Sequence, residues 1–442
     1  MGQGVLNGPV LRSATAGQRE ALFAAAGLHR VGHTLEMDAV PLGAIANGVG
    51  TPTFVYSADA IRRQFAALDA ALGAVPHRIA YAVKANGCLA VLRILRDLGA
   101  GADIVSGGEL ARALAAGFAP GHIVFSGVGK SDRELEAAVL AGVGHVHLES
   151  AAELASLAHI AERAGHQVAV GIRVNPDVSA STHPYIATGQ GGIKFGVPYD
   201  QVRPLAAVVC RHPHLRLDSI AMHLGSQLLE VAPYREGVTR LLDLVRSLRA
   251  DGVDTLQTLD VGGGLGIRYL DESPLDPRAL ADVLVPMVRE AGLALVLEPG
   301  RFLVGSAGVL LTEVLSRKHS GGKELVIVDA GMNDLVRPSH YLAYHDIVEV
   351  DAQGREDGQV DVVGPVCETG DFLALDRMLP GVERGERLAV LNAGAYGFVM
   401  SSNYNARPRA AEVLVDGGRW AEVRPRETLE GLFASEVAQP WP

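Results

Sequence analysis

Between residues 53 and 300 the chain alternates eight short apolar runs with amphipathic stretches, and this alternation restricts the possible folds more than any other feature. Short apolar runs bounded by turn residues indicate buried strands, whereas apolar residues at every third or fourth position indicate helices. A regular exchange of strands and helices predicts a parallel sheet, and eight such units predict a closed (β/α)8 barrel of the TIM type. The predicted α/β barrel domain covers residues 53–301, with strands at 79–83, 102–105, 122–125, 145–148, 167–174, 217–223, 255–261 and 293–297.

After residue 302 the pattern changes to short apolar segments separated by glycine, proline and aspartate. Such segments are typical of an antiparallel β domain, a sandwich or a barrel, which we predict for residues 302–442. Residues 29–52 contain an alternating run at 34–37 and are predicted to pack on this β domain. Residues 1–28 are predicted to form a flexible N-terminal extension, or at most a loose helix over 16–26.

The charge and the cysteines of the chain exclude several classes of protein. A net charge of −11, without a basic stripe, argues against nucleic-acid binding. No apolar run reaches the length of about 18 residues that predicts a membrane span. The three cysteines lie far apart, which indicates neither a zinc site nor a disulfide framework and favours a cytoplasmic protein. His145 and His147 alternate along one predicted strand without a third ligand, so we expect them to be structural and expect no metal site.

Four unusual motifs follow predicted barrel strands. Lys84 follows the first strand, His223 ends the sixth, the glycine run 262–266 follows the seventh, and the segment 298–301 follows the eighth. Because TIM barrels carry their chemistry at the C-terminal ends of the strands, we expect these motifs to share one rim. The N–H groups of the glycine run could bind phosphate oxygens, and the alternative is a glycine-rich turn without a ligand.

Lys84 and Glu298 are ionisable residues at the ends of apolar runs. Burial favours the neutral amine of Lys84, which makes it nucleophilic and suited to a Schiff base, whereas the alternative is a lysine that extends to the surface. A buried Glu298 could keep the ring nitrogen of a pyridinium ligand protonated, and the alternative is an ion pair with Arg301. His223 could lie against the ring of such a ligand, although a single histidine is more often structural.

Three segments of the β domain carry further reactive side chains. Cys367 and Glu368 are neighbours in a predicted loop, where the thiol can donate a proton and the carboxylate can accept an ammonium group. Arg337, together with Arg301, can bind a carboxylate through paired hydrogen bonds. Tyr396 lies among small residues. Each segment could also be a simple turn.

Together these motifs resemble the fold-type-III pyridoxal-phosphate-dependent decarboxylases, and within them the diaminopimelate branch. The resemblance extends from about residue 30 to residue 420, and the motifs occur in the order typical of that family. It rests on residues 81–86, 223–227, 262–266, 298–301, 329–345, 367–369 and 394–396.

The resemblance implies pyridoxal 5'-phosphate as the cofactor and an amino acid as the substrate. In the family, the lysine at the position of Lys84 binds the cofactor covalently, the histidine at that of His223 stacks on its ring, and the cysteine at that of Cys367 is the proton donor. Family members are homodimers in which the cysteine loop enters the partner's active site. The implied cofactor-binding set is Lys84, His223, Ser226, Gly262, Gly263, Gly264, Glu298, Gly300, Arg301 and Tyr396, and the implied substrate-binding set is Arg301, Arg337, Tyr341, Glu368 and Tyr396.

The reaction that the resemblance implies is the decarboxylation of meso-2,6-diaminopimelate to L-lysine and CO2, the last step of lysine biosynthesis. Glu368 favours this substrate because related polyamine-type enzymes usually have aspartate after the cysteine, and residues 182–189 and 194–196 also match the diaminopimelate branch. Thr369 and His340 depart from the family pattern, which usually has serine and an aliphatic residue at these positions. The alternatives are a decarboxylase of another basic amino acid, of the ornithine, arginine, lysine or carboxynorspermidine type, and a non-catalytic regulatory homologue.

Overall fold

A computed structural model describes residues 13–178 and 194–436, so the predicted motif at 182–189 lies outside the described residues. The chain forms two compact units. The barrel unit consists of Arg62–Ile267 and Ser273–Leu303, and the β unit consists of Met1–Ile61, Arg268–Glu272 and Val304–Pro442. Among the described residues, no helix has the length and apolar character needed to cross a membrane.

Eight parallel strands close the barrel unit, which confirms the predicted (β/α)8 barrel. Each strand pairs with the next one along the chain, and the ring closes where strand eight pairs with strand one, with Leu297 opposite Ile79. A two-residue strand, Val197–Pro198, pairs with the outer end of strand five. Strands one to eight are His77–Ala82, Gly101–Ile104, Ile123–Phe125, His145–Leu148, Val168–Asn175, Leu215–Ala221, Thr258–Asp260 and Ala294–Leu297.

Helices alternate with these strands, and three of the helices begin after a serine that caps the helix. Ser106, Ser131 and Ser150 each accept a hydrogen bond from the N–H of the third residue of the next helix, which pairs one of the N–H groups that a helix start leaves open. The helices that flank the barrel strands are Ala58–Leu72, Leu89–Asp97, Gly107–Ala116, Asp132–Ala141, Ala151–Ala164, Val202–Arg211, Ala232–Ala250, Pro277–Ala291 and Arg301–Val304.

The β unit contains a nine-stranded sheet whose pairings are mostly antiparallel. Two pairings are parallel: Lys323–Val328 with Asp357–Val363, and Thr53–Ser57 with Ala411–Asp416. The predicted β domain is therefore confirmed, with a mixed sheet. Its strands are Thr53–Ser57, Gly308–Ser320, Lys323–Val328, Ile347–Glu349, Asp357–Val363, Phe372–Pro380, Arg387–Val390, Ala411–Asp416 and Arg419–Arg424, and a separate sheet contains Leu28–Val31, Thr34–Met37 and Val40–Pro41.

The strand Thr53–Ser57 belongs to the β unit, so the domain boundary predicted at residue 53 is too early. This strand is buried along its whole length because it lies between Gly308–Ser320 and Ala411–Asp416. This strand was not among the barrel strands predicted from the sequence, the first of which begins at residue 79.

The described part of the predicted N-terminal extension is folded. A capping box between Thr15 and Gln18 begins the helix Ala16–Ala26, and Leu22 and Ala26 are each 1% exposed. Both residues belong to one apolar cluster with residues of distant strands such as Val309. The alternative prediction of a helix over 16–26 is confirmed, whereas a flexible extension was wrong for these residues, because a short helix is stabilised mainly by tertiary packing that its own sequence does not reveal. The remaining helices of the β unit are Leu42–Val49 and Arg337–Tyr341.

The substitution Leu22→Ala tests whether the N-terminal helix contributes to the core. Because Leu22 is enclosed, we expect the free energy of unfolding to fall by about 2 to 5 kcal/mol in urea denaturation. Leu140→Ala is the control, since Leu140 is 63% exposed on its helix, and its effect should stay within about 0.5 kcal/mol. Similar small losses for both variants would contradict a packed N-terminal helix.

Candidate active site

In the barrel unit, a polar residue lies near the C-terminal end of each strand, either within the strand or just after it. In a closed parallel barrel these ends lie on the same rim, so the polar groups converge there. Only the residues of strands one, six and eight were predicted from the sequence. In strand order, the eight residues are Lys84, Asp103, Ser126, His147, Arg173, His223, Asp260 and Glu298.

Lys84 lies in a single helical turn, Val83–Ala85, directly after strand one. Its side chain is 34% exposed, and its Nζ donates a hydrogen bond to Asp103 Oδ2 at 3.0 Å. The side chain is thus neither deeply buried nor extended freely into solvent, since it pairs with a carboxylate that is itself enclosed. A nearby opposite charge favours the ammonium form, so Lys84 has to leave this pair before its amine can act as a nucleophile.

Glu298 is 6% exposed at the end of strand eight. Ser126 Oγ donates a hydrogen bond to Glu298 Oε1 at 3.4 Å, and His147 Nδ1 lies 3.9 Å from the same oxygen. Burial, and then the charges of Asp103 and Asp260, raise the pKa of Glu298 well above its usual value. Glu298 is therefore less acidic than a free carboxyl group, and it is suited to share a proton with the ring nitrogen of a ligand.

Asp260 at the end of strand seven is a second enclosed carboxyl group, 1% exposed. Its Oδ1 accepts a hydrogen bond from the N–H of Gly262 at 2.8 Å, and its side chain also shares a hydrogen bond with Glu298. Burial is the main cause that raises the pKa of Asp260 to about 7. Because Asp260 and Glu298 are close, their protons are held by the pair rather than by either residue alone.

The residues His147, Asp260 and Glu298 also have the spacing of metal ligands. One ligand-type atom from each lies within 4.8 Å of the other two. We assign no metal to this cluster, because its three side chains are accounted for by their contacts with Ser126, Gly262 and one another.

His223 lies just after strand six and presents a neutral ring. The N–H of Gly263 donates a hydrogen bond to His223 Nδ1 at 3.1 Å, so Nδ1 is an acceptor and the ring proton is on Nε2. Burial, followed by the charges of Lys84 and Arg173, lowers the pKa of His223 well below its usual value. An uncharged flat ring in this place is suited to contact with an aromatic ligand.

The glycine run after strand seven is shaped by close contacts. Gly262 and Gly264 have φ values of +69° and +108°, which favour glycine, and a Cβ on Gly263 would lie 2.1 Å from the carbonyl oxygen of Glu298. The N–H groups of Gly262 and Gly263 already donate within the protein. Across the described ranges, those of Gly264 and Gly300 donate to no protein atom, which makes them the better candidates for an anion.

Arg301 and Ser226 are brought together by the loops after strands eight and six. Arg301 Nε and Nη2 lie 3.3 and 3.0 Å from Ser226 Oγ, and the guanidinium is almost enclosed, at 7% exposure of the residue. Both residues were predicted from the sequence to belong to the site. The contact orders the Arg301 guanidinium at the rim.

Arg337 is the most buried of the predicted substrate residues in the β unit, at 5% exposure. Its Nη1 donates to His345 Nε2 at 2.9 Å, and its guanidinium lies 4.7 Å from the ring centre of Tyr269. His345 in turn donates from Nδ1 to the carbonyl oxygen of Leu391 at 2.8 Å, which leaves Nε2 as the acceptor. These contacts hold the guanidinium in one orientation, as recognition of a carboxylate requires.

Two predicted tyrosines lie in the same unit. Tyr341 ends the helix Arg337–Tyr341, and the ring of His340 packs edge-on against it with ring centres 4.5 Å apart. Tyr396 has a φ of +57°, in the left-handed region that a large side chain seldom adopts. Strain of this kind often marks a residue held in place for function.

Cys367 and Glu368 lie in an exposed loop of the β unit. Two side chains hold the backbone of this loop. Asp371 Oδ2 accepts a hydrogen bond from the N–H of Val366 at 2.6 Å, and Asn405 Oδ1 accepts one from the N–H of Cys367 at 2.8 Å. Glu368 accepts a hydrogen bond from the Tyr404 hydroxyl, which raises the pKa of Tyr404. The thiol and the carboxylate are therefore positioned by a defined loop and remain accessible to another molecule.

Five polar residues of the rim were not predicted as site residues. Asp103 and Asp260 lie inside apolar runs, which is an unusual place for a carboxyl group and is the signal that could have found them. Arg173 also interrupts an apolar run, and it is buried with its Nη1 2.9 Å from Glu149 Oε1. Ser126 carries no comparable signal. His147 was interpreted as structural, although its ring lies in the centre of the cluster.

Comparisons with known proteins agree with this geometry. Residues 58–305 match the family described as pyridoxal-dependent decarboxylase, pyridoxal binding domain. The diaminopimelate decarboxylase of Pseudomonas aeruginosa is 48% identical over 407 residues, which cover 91% of this chain and 97% of that protein. The crystal structure of diaminopimelate decarboxylase from Helicobacter pylori complexed with L-lysine has a TM-score of 0.86 and 39% identity, covering 89% of this chain and 99% of that one. The corresponding structure from M. jannaschii, in co-complex with L-lysine, has a TM-score of 0.89 and 33% identity, covering 93% and 98%.

Gly263→Ala tests the glycine run. The new Cβ would meet the carbonyl oxygen of Glu298 at 2.1 Å, so the backbone next to Glu298 must move. We expect the affinity for pyridoxal phosphate, measured by absorbance titration, to fall by about tenfold or more, which corresponds to about 1.4 kcal/mol. The control is Gly129→Ala, because nothing lies within 4 Å of a Cβ there. Unchanged affinity in the Gly263 variant would mean that the loop does not shape the cofactor site.

Proposed function

The chain belongs to the family of pyridoxal-dependent decarboxylases, and on that premise we propose that it removes CO2 from meso-2,6-diaminopimelate and releases L-lysine. The observation that carries the substrate assignment is the 48% identity to a diaminopimelate decarboxylase over nine tenths of the chain. The enzyme is accordingly a carboxy-lyase of amino-acid biosynthesis. All three cysteines are free thiols, which supports the cytoplasmic location proposed from the sequence.

The residues of the barrel unit fit pyridoxal 5'-phosphate. Lys84 offers an amine at the rim for the aldehyde carbon, and the unpaired N–H groups of Gly264 and Gly300 suit the phosphate. Glu298 offers a buried carboxyl group of raised pKa for the ring nitrogen. The buried carboxyl groups of Asp103 and Asp260 favour a cationic group nearby. When bound, the cofactor supplies the electron sink for the electrons of the breaking bond between Cα and the carboxylate.

The groups of the barrel unit have separate tasks in this proposal. Lys84 holds the cofactor through its amine and exchanges it for the substrate amine. Glu298 shares its proton with the ring nitrogen, because burial disfavours the charged carboxylate unless a cation faces it. The neutral ring of His223 covers one ring face without adding a charge. Arg301 and Ser226, which are joined by two hydrogen bonds, position the loops around the cofactor.

The groups of the β unit are proposed to recognise the far end of the substrate and to return the proton. Arg337 binds the distal carboxylate, and Glu368 accepts the distal ammonium group. Tyr341 and Tyr396 complete the contacts to substrate and cofactor. The Cys367 thiol donates the proton that replaces CO2 at Cα.

We further propose that the active enzyme is a homodimer in which the Cys367 loop of one chain serves the Lys84 site of its partner. The support is that Cys367, Glu368 and Thr369 are all exposed in the single chain, although their loop is anchored through Asp371. Reactive groups on an anchored but uncovered loop suit a contact with a second chain. A two-fold axis would then form both sites at once.

A substrate comparison tests the proposed reaction. Purified protein loaded with pyridoxal phosphate is incubated with meso-diaminopimelate, lysine, ornithine and arginine, and CO2 and the chirality of the product are measured. We expect CO2 and L-lysine from meso-diaminopimelate, and no CO2 from a Lys84→Ala control, because the amine that exchanges the cofactor is missing. CO2 from ornithine, lysine or arginine, with none from meso-diaminopimelate, would replace the substrate assignment.

Mixing two inactive variants tests the shared site. Cys367→Ala should lower kcat by about 100-fold to 10,000-fold, the range for loss of a general acid, while the cofactor remains bound. A refolded equal mixture of Lys84→Ala and Cys367→Ala chains should recover about a quarter of the wild-type activity, since half of the dimers contain one intact site of two. Differently tagged chains confirm that mixed dimers form. Mixed dimers without recovered activity would place both residues in a site formed by one chain.

A further inference from the structure

The side chain of His147 lies inside the barrel at the end of strand four and is 2% exposed. Two features hold it there. Lys130 Nζ donates a hydrogen bond to the carbonyl oxygen of His147 at 2.8 Å. Gly171 on the neighbouring strand leaves the space for the ring, since a Cβ at that position would lie 2.3 Å from His147 Cδ2. The ring is therefore built into the barrel in a single position.

The ring of His147 lies beside the two buried carboxyl groups, which are in contact with each other. Its Nδ1 is 3.9 Å from Glu298 Oε1, and its Nε2 is 4.0 Å from Asp260 Oδ2. Ser126 bridges the first of these gaps, since its Oγ lies 3.2 Å from His147 Nδ1 and 3.4 Å from Glu298 Oε1. The imidazole thus reaches Glu298 through one hydroxyl group.

The electrostatic surroundings keep this imidazole neutral. Burial, and then the charges of His145, Lys130 and Arg173, lower the pKa of His147 well below its usual value. A neutral imidazole has one donor and one acceptor nitrogen, so it can hydrogen-bond to Ser126 without adding a charge beside Glu298. A buried polar ring needs such a hydrogen-bond partner to offset the free-energy cost of its desolvation.

We propose that His147 is a positioning residue for the proposed reaction: through Ser126 it holds the Glu298 carboxyl group in the orientation from which it shares a proton with the cofactor's ring nitrogen. The inference rests on the proposed function for its cofactor. Asp260 is already hydrogen-bonded to Glu298, so without the contact through Ser126 the Glu298 carboxyl group would share its proton mainly with Asp260, as neighbouring buried carboxyl groups do. The ring nitrogen would then lose its proton partner, and the electron sink would weaken.

Three substitutions separate the two nitrogens of His147. The side-chain amide of His147→Asn reaches the place of Nδ1 and can keep the contact with Ser126, whereas that of His147→Gln reaches the place of Nε2 and points toward Asp260. His147→Leu has similar bulk and no polar atom. The matched control is His145→Leu, on the same strand, because His145 Nε2 contacts Asp218 Oδ2 at 2.6 Å instead of this cluster.

The measurements are the absorption spectrum and affinity of bound pyridoxal phosphate, with kcat and KM for meso-diaminopimelate. We expect His147→Leu and His147→Gln to shift the absorption band and to lower kcat by about 10-fold to 100-fold, the usual effect of losing an outer partner of a reactive group, with little change in KM. His147→Asn should keep most of the wild-type band and kcat. His145→Leu should change both far less than His147→Leu, because it removes one of the charges that act on His147 but no contact with Ser126.

Two results would overturn the proposal. One is a wild-type spectrum and kcat in His147→Leu. The other is an equal loss in the Asn and Gln variants that follows their loss of thermal stability, since that is the behaviour of a purely structural residue. If His147→Leu does not fold, the comparison of Asn with Gln decides. If wild-type protein binds the cofactor but does not decarboxylate meso-diaminopimelate, the proposed substrate fails, and the absorption bands of the variants still test the role of His147.

Discussion

The burial of acidic groups at the rim of the barrel is the constraint on which the rest of the site depends. Asp103, Asp260 and Glu298 are almost fully enclosed, and an enclosed carboxylate is costly unless it is paired or protonated. Lys84 pairs with Asp103, whereas burial raises the pKa of the other two. A cationic ring nitrogen beside Asp260 and Glu298 would stabilise the charged form of these carboxyl groups. A protonated ring nitrogen is also what a pyridoxal-dependent decarboxylase needs for its electron sink.

The two units carry different parts of the chemistry. In the proposed reaction the barrel unit would supply the amine, the carboxyl group facing the ring nitrogen and the N–H groups for the phosphate, all from the ends of parallel strands. The β unit supplies Arg337, held by His345 and Tyr269, and the exposed loop with Cys367 and Glu368. A cofactor site on one unit and substrate-reading groups on another allow a family to keep its reaction while its members differ in substrate.

Part of the site could be predicted from the sequence because some reactive residues directly follow apolar runs. Lys84 and Glu298 are such residues, and their positions alone indicate a barrel rim. Asp103 and His147 lie within strands. A sequence shows which residues of a strand share a face of the sheet, but not which other residues that face contacts. The glycine run was predicted to bind phosphate as a whole, yet the N–H groups of Gly262 and Gly263 are used inside the protein.

The sequence by itself determined the alternation of strands and helices, and hence the closed barrel, together with the order of motifs that identifies the family. Local patterns suffice for these because hydrophobic periodicity and turn residues act over short stretches. Only the tertiary structure decided that Thr53–Ser57 and the helix Ala16–Ala26 belong to the β unit, and that His147 lies beside Glu298 and Asp260. Such contacts join residues far apart in the chain, and they depend on strand pairing and register. In a strand that is buried on both faces, the apolar pattern alone does not determine the pairing or the register.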